Sequence, residues 1–289
     1  MPPLLSGPTV TTQWLADHLG SDDLVILDAT VLVVRDASGA PANISGYDRY
    51  LLDGHLPGAV FADLLDVFSD PGARFPFTRP DAAAFERAAA SVGVRESSTV
   101  VVYDSAGGAW ASRVWWLFRS YGFETIAVLD GGLTAWLTEG RDTDAGHVEP
   151  DPGSVKARPQ PGYWVDKAEV ERVVAGEAAG VLVCGLPSAE FARTVPVSRR
   201  PGLIPGSTSV PAGRLVDRNT RTFLAPAELL ALYPPAVTTG ERVIAYCAGG
   251  VAATANALSL VLAGHRNVSV FDGSLNEWLA DPSAPVVAG

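Results

Sequence analysis

The stretch Arg242-Val-Ile-Ala-Tyr-Cys247-Ala-Gly-Gly-Val-Ala-Ala-Thr254 decides how the rest of this chain is read. Its apolar run predicts a buried strand that ends in a cysteine, turns through Gly249 and Gly250 and enters a helix. A cysteine at such a junction sits among backbone N–H groups at the positive end of a helix dipole. Those surroundings suit a thiolate and hold an anion beside it. Taken alone, the same stretch also fits Cys247 as a small hydrophobe packed at a strand end.

Working outward, the same plan occurs twice. In the first half Val100 to Asp104 leads into Ser-Ala-Gly-Gly and a helical run ended by Gly122. A strand, Ile126 to Asp130, follows, and then Gly-Gly-Leu-Thr-Ala-Trp136. In the second half Val243 to Cys247 leads into Ala-Gly-Gly and a helical run ended by Gly264. A strand, Val268 to Asp272, follows, and then Gly-Ser-Leu-Asn-Glu-Trp278. Upstream, Leu24 to Asp28 parallels Val181 to Cys184, and Gly54-His-Leu-Pro-Gly58 parallels Gly202-Leu-Ile-Pro-Gly206. Asp81 stands where it can cap a helix over the residues up to Ser91, and Pro226 opens another. A repeat of this length is a structural unit that recurs.

The strands are short, continuous and rich in Val, Ile and Leu, and they alternate with helices. That pattern predicts an α/β fold, each half a mostly parallel sheet flanked by helices. The expected domains are residues 1–145 and 163–289. The proline-bearing segment 146–162 is read as an extended linker between them. In such sheets ligands bind at the carboxyl ends of the strands. Asp28, Asp104, Cys184 and Cys247 all fall there. Asp104 stands where the second half has Cys247, so only the second half can carry cysteine chemistry.

Composition narrows the function classes. The 289 residues are 47% hydrophobic and 18% charged with a net charge of −11, and the densest basic patch is Arg199-Arg200. Nucleic acid is not an expected partner, because phosphate binding needs clustered cations. No apolar run approaches the ~20 residues of a membrane span. The N-terminus lacks the pattern of a signal peptide, so a cytoplasmic setting with two free thiols is expected. Two distant cysteines and four scattered histidines make no metal-ligand set, and no cofactor is expected.

The Gly54-His-Leu-Pro-Gly-Ala turn, the Leu129-Asp-Gly-Gly-Leu-x-x-Trp136 segment, the Cys247-x-x-Gly-Val loop and the ending Asp272-Gly-Ser-Leu-Asn-Glu-Trp278 together resemble a known family. They are similar to the tandem rhodanese-type sulfurtransferases that use thiosulfate or 3-mercaptopyruvate, over essentially the whole chain. The resemblance implies two rhodanese-like domains, the second catalytic, with Cys247 carrying a sulfane sulfur as a persulfide. It implies a cradle of backbone N–H groups from Ala248, Gly249, Gly250, Val251 and Ala252. A small-molecule sulfur donor and a thiol or cyanide acceptor are the implied partners.

Some residues depart from the family pattern. Thiosulfate-preferring members carry cations after the cysteine, where this chain has Ala248 and Gly249. The loop of mercaptopyruvate-preferring members, Cys-Gly-Ser-Gly-Val-Thr, is nearer, yet Gly249 and Ala252 replace its hydroxyls. The usual Asp-x-Arg strand end is Cys184-Gly-Leu186. Glu190 stands where a substrate arginine is expected, and Arg199 matches the second such arginine, as a ligand for a donor carboxylate. His55 is kept in the first half, as a turn-stabilising hydrogen-bonder, and is Leu203 in the second. Cys184 is expected to pack, with resolution of a Cys247 persulfide as its alternative role. The phosphatase pattern Cys-x5-Arg is absent, since Ala253 occupies its arginine position. A catalytically weak persulfide carrier or partner-binding module is the alternative function.

Overall fold

The strands form because their residues are apolar on both sides, as a sheet covered on both faces requires. The computed structural model describes residues 2–37, 39–187 and 202–287. In chain order the first half comprises β1 (Thr9–Val10), α1 (Thr12–His18), β2 (Leu24–Asp28), β3 (Val31–Arg35), β4 (Pro41–Ser45) and α2 (Tyr47–Leu52). It continues with β5 (Val60–Phe61), α3 (Ala82–Ser91), β6 (Thr99–Tyr103), α4 (Ala109–Ser120), β7 (Ile126–Leu129) and α5 (Gly132–Thr138). The second half comprises β8 (Trp164–Val165), α6 (Lys167–Val174), β9 (Val181–Cys184), β10 (Thr208–Ser209) and a 3₁₀ turn at Ala212–Arg214. Then come α7 (Pro226–Leu230), α8 (Pro235–Thr238), β11 (Val243–Tyr246), α9 (Val251–Leu262), β12 (Val268–Phe271) and α10 (Ser274–Ala280).

Each half builds one five-stranded sheet, and both have the same order. The first is β1-β7-β6-β2-β5 and the second is β8-β12-β11-β9-β10, with every pairing parallel. Every residue of β6 and of β11 is buried, in keeping with their central places. A separate antiparallel hairpin, β3–β4, has no counterpart in the second half among the described residues. The chain divides into two compact units. Unit 1 is Met1–Gly72, Arg79–Gln160 and Asp217–Thr222; unit 2 is Ala73–Thr78, Pro161–Val216 and Phe223–Gly289. The segment Asp142–Gln160 therefore runs with unit 1. There Gly153 N–H donates to Ala90 O (3.0 Å), and Arg158 N–H to Tyr121 O (2.8 Å).

Local chemistry sets the helix starts. Asp81 caps α3 by accepting from Ala84 N–H (2.7 Å), and Asp166 caps α6 by accepting from Glu169 N–H (2.9 Å). Pro226 occupies the first turn of α7.

The repeat reaches past the strands. Trp136 and Trp278 are buried in their cores, and their indole N–H groups donate to Asp142 O and Pro285 O (both 2.8 Å). Each clamp turns the chain back onto the Gly-x-x-Pro-Gly turn. His55 and Asp144 exchange backbone hydrogen bonds (2.9 Å each), and Leu203 and Val287 do the same (2.8 and 3.0 Å). Among the described residues no helix is long and apolar enough to cross a membrane.

Removing Trp278 deletes both a large core side chain and this clamp. Trp278→Ala is expected to cost about 3–5 kcal/mol, measured as a lowered denaturant midpoint for the unfolding of unit 2. A loss below about 1 kcal/mol would contradict the clamp, given what burial alone is worth.

Candidate active site

Cys247 directly follows β11, the central strand of the unit 2 sheet, and is only 2% exposed. Three residues later Gly250 takes the N-cap place of α9 with φ 80° and brings no side chain to cap the helix. A left-handed angle there is open to glycine at no steric cost. Gly249 does not share that angle. Gly249 instead stands where neighbours crowd in closely. A Cβ at Gly249 would meet Asn276 Nδ2 at 3.0 Å and Pro76 O at 3.4 Å.

The β12–α10 turn holds the loop from below. Leu275 N–H donates to Cys247 O (3.0 Å), and Asn276 N–H donates to Ala248 O (2.9 Å). Ser274 Oγ accepts from Cys247 N–H (3.1 Å) and donates to Phe271 O (2.8 Å). Ser274 has φ 49°, a left-handed backbone that its counterpart Gly132 adopts at 53°. A serine in that conformation carries strain. Here the strain brings its hydroxyl under the backbone of the cysteine. The sequence comparison passed over Ser274 and Asn276. The signal was available, since Gly-Gly in the first half is Gly-Ser in the second.

The sister loop in unit 1 shows what this junction holds. Asp104 follows β6 and is 1% exposed. Its Oδ1 accepts from Ala106 N–H (2.8 Å) and Gly108 N–H (2.9 Å), and its Oδ2 from Ala111 N–H (2.9 Å). The carboxylate thus fills the ring of N–H groups at the mouth of α4, which Gly108 also opens without a side-chain cap. This loop is one residue longer than the Cys247 loop, so the two rings correspond in kind rather than atom for atom.

Cys184 ends β9 in register with Tyr246, next to Cys247. It lies fully buried in the unit 2 core with Tyr246 and Phe271. Burial pushes its thiol up to about 12, which holds its proton on and suits its packed position. Asp28 takes the same position in unit 1, with its carboxyl also raised by burial. In both units the tyrosine hydroxyl accepts from the turn backbone: Leu56 N–H to Tyr103 (3.1 Å) and Ile204 N–H to Tyr246 (3.3 Å). His55 is fully buried, its ring nitrogens 2.9 and 3.1 Å from Leu56 O and Gly146 O, and it stacks on Tyr50 at 4.0 Å. It ties the turn down, as expected.

Of the expected site residues, Cys247, Ala248, Gly249, Gly250, Val251 and Ala252 form one continuous loop and first helical turn. Arg199 and Glu190 lie outside the described residues. Among the described residues no group of three or more His, Cys, Asp or Glu is placed to hold a metal ion.

Two outcomes test this geometry. Ser274→Ala loses the bond to Cys247 N–H while keeping the left-handed backbone, and is expected to cost about 1–3 kcal/mol. Ser274→Gly loses the same bond but relieves the strain, so it should cost about 1 kcal/mol less. Equal losses in denaturant titrations would contradict the strained-serine account. For Cys184, the folded chain binds the proton more tightly than the unfolded chain, whose thiol keeps its ordinary value of 9.0. The folded state therefore holds the extra proton between pH 9 and 12, and stability falls as pH rises through that window. This thiol alone should remove about 1 kcal/mol between pH 9 and 10. Cys184→Ala should flatten that slope, and an unchanged slope would contradict the assignment.

Comparison with known proteins agrees with the fold. The family model described as "Rhodanese-like domain" matches residues 11–139 and 187–281. SseB of Mycobacterium tuberculosis is 32% identical over 97% of this chain and 96% of its own. The 3-mercaptopyruvate sulfurtransferase of Escherichia coli is 31% identical over 96% of each chain. The crystal structure of SseA from Escherichia coli superposes with a TM-score of 0.82 at 29% identity, covering 93% of this chain and 99% of that one. The doubled parallel sheets, the doubled strand–loop–helix and these relatives lead to one conclusion: the chain belongs to the rhodanese family of sulfurtransferases, in its tandem two-domain form.

Proposed function

We propose that this chain moves a sulfane sulfur from thiosulfate or 3-mercaptopyruvate to a thiol or cyanide through a persulfide on Cys247, with the N-terminal domain non-catalytic. The observation that carries this is the Asp104 carboxylate held by three backbone N–H groups in the sister loop. A loop of this build takes an anion at the strand–helix junction, and in unit 2 the residue standing there is a cysteine.

The thiolate sulfur of Cys247 donates an electron pair to the outer sulfur of the donor. With thiosulfate the S–S bond breaks and sulfite leaves with the pair. With 3-mercaptopyruvate the C–S bond breaks, and the carbon takes up the proton released from the transferred SH as pyruvate departs. Either way Cys247 becomes Cys–S–S⁻. The backbone N–H groups of Ala248, Gly249, Gly250, Val251 and Ala252 then stabilise that anion without reorganising. An acceptor thiolate or cyanide attacks the outer sulfur, the S–S bond breaks, and the Cys247 thiolate returns with the pair. This is a two-stroke, covalent scheme. Arg199 supplies a fork for the donor carboxylate.

The donor preference follows from what the loop lacks. Ala248 and Gly249 offer no cation to a dianion. A charge-assisted contact of that kind is worth about 1.5–3 kcal/mol, or one to two decades of affinity. 3-Mercaptopyruvate, a monoanion, is therefore the favoured donor on this reading.

Steady-state assays with cyanide or dithiothreitol as acceptor test the reading. The kcat/KM for 3-mercaptopyruvate should exceed that for thiosulfate, and Cys247→Ser should abolish turnover of both. The opposite donor order would contradict the account of Ala248 and Gly249. Turnover surviving in Cys247→Ser would remove Cys247 from the mechanism. Failure of the wild-type chain to turn over either donor would leave only a binding or carrier role.

A further inference from the structure

Phe77 lies against the reactive loop in a conformation that aromatic residues rarely take. It belongs to Ala73–Thr78, a strap that comes from the first half of the sequence and packs as part of unit 2. Its φ is 61°, and it is 8% exposed. Phe77 Cδ2 would be 3.9 Å from a Cβ placed on Gly249, two residues after Cys247. Thr78 Oγ1 donates to Phe75 O (2.8 Å) and fixes the turn around it. A left-handed backbone at a bulky residue persists only where its surroundings impose it, and such strain gathers at functional sites.

The strained position recurs. Asp217–Thr222, which packs as part of unit 1, carries Arg221 at φ 61°. Its Thr220 O and Thr222 Cγ2 lie 3.1 and 3.3 Å from a Cβ placed on Gly131. Each strap thus holds one left-handed non-glycine residue, an exposed arginine in unit 1 and a buried phenylalanine in unit 2. The turns they meet differ: Gly131 pairs with Gly273 in the repeat, whereas Phe77 approaches Gly249 in the reactive loop.

That loop is covered, since Cys247 is 2% exposed, and the side chains named around it bring no charge. Ala248, Phe77, Ser274 and Asn276 are all neutral. We propose that Phe77 is a specificity-determining residue, an apolar gate over Cys247 that admits slender organic sulfur carriers and disfavours hydrated dianions. A dianion pressed against the ring would give up hydration that an apolar surface cannot replace, whereas an organic donor places a methylene there. The proposal rests on the reading of Cys247 as the sulfur-accepting nucleophile and names the feature that selects its donors.

The test uses the full-length chain with Phe77→Arg, which installs the residue of the other strap, and Phe77→Ala, which removes the ring. Phe77→Arg should raise kcat/KM for thiosulfate relative to 3-mercaptopyruvate by roughly tenfold or more, the worth of one charge-assisted contact. Alkylation of Cys247, followed by peptide mass, gives a readout that needs no sulfur transfer. The wild-type chain should react faster with neutral iodoacetamide than with anionic iodoacetate. Phe77→Arg should narrow that preference, and Phe77→Ala should speed both reagents. Unchanged donor ratio and alkylation preference in a folded Phe77→Arg variant, or wild-type alkylation rates in Phe77→Ala, would overturn the gate. An altered alkylation preference with no sulfur transfer to wild-type Cys247 would sustain the gate and overturn the sulfur-transfer reading.

Discussion

Backbone N–H groups converging at a strand–helix junction are the constraint around which each unit is arranged. A helix that opens on glycine without a side-chain cap leaves donors that must find an acceptor. In unit 1 the Asp104 carboxylate, from the end of β6, satisfies one of them, Ala111 N–H, together with the loop N–H groups of Ala106 and Gly108. That arrangement is self-contained, and it makes the first loop a structural joint. In unit 2 the equivalent place belongs to Cys247, whose backbone is fixed by Ser274, Leu275 and the strands on either side. On the proposed reading, replacing a carboxylate by a cysteine turns the same joint toward chemistry.

Much of this was legible in the sequence because it rests on local patterns. The apolar runs Leu24–Asp28, Val181–Cys184 and Val243–Tyr246 gave their strands directly, since a buried parallel strand has no polar face to obscure it. Asp81 and Gly250 marked helix starts through their own chemistry. Cys247 and its loop stood out because the repeat supplied Asp104 for comparison. The short edge strands Thr9–Val10 and Trp164–Val165 did not, being two residues long with nothing periodic to detect. Pro226 opened α7 as expected, and the helix spans only Pro226–Leu230.

The straps were hidden for a different reason. Ala73–Thr78 and Asp217–Thr222 read as turns, and turn composition says nothing about which unit a segment packs with. Phe77 and Arg221 have no sequence signal of left-handed backbone, because non-glycine residues take it only under tertiary constraint. The crowding at Gly249 likewise has no local signal. Its lack of a side chain answers to Asn276 and Pro76, both remote in sequence.

Among the described residues the Cys247 loop is thus held by backbone and by the Ser274 hydroxyl. Intact mass spectrometry with peptide mapping, after brief exposure to 3-mercaptopyruvate and removal of the donor, is the most direct check on it. One added sulfur atom, carried by the Cys247 peptide and absent from Cys247→Ser, is the result this account predicts. An adduct on the Cys184 peptide, or none on either, would contradict it.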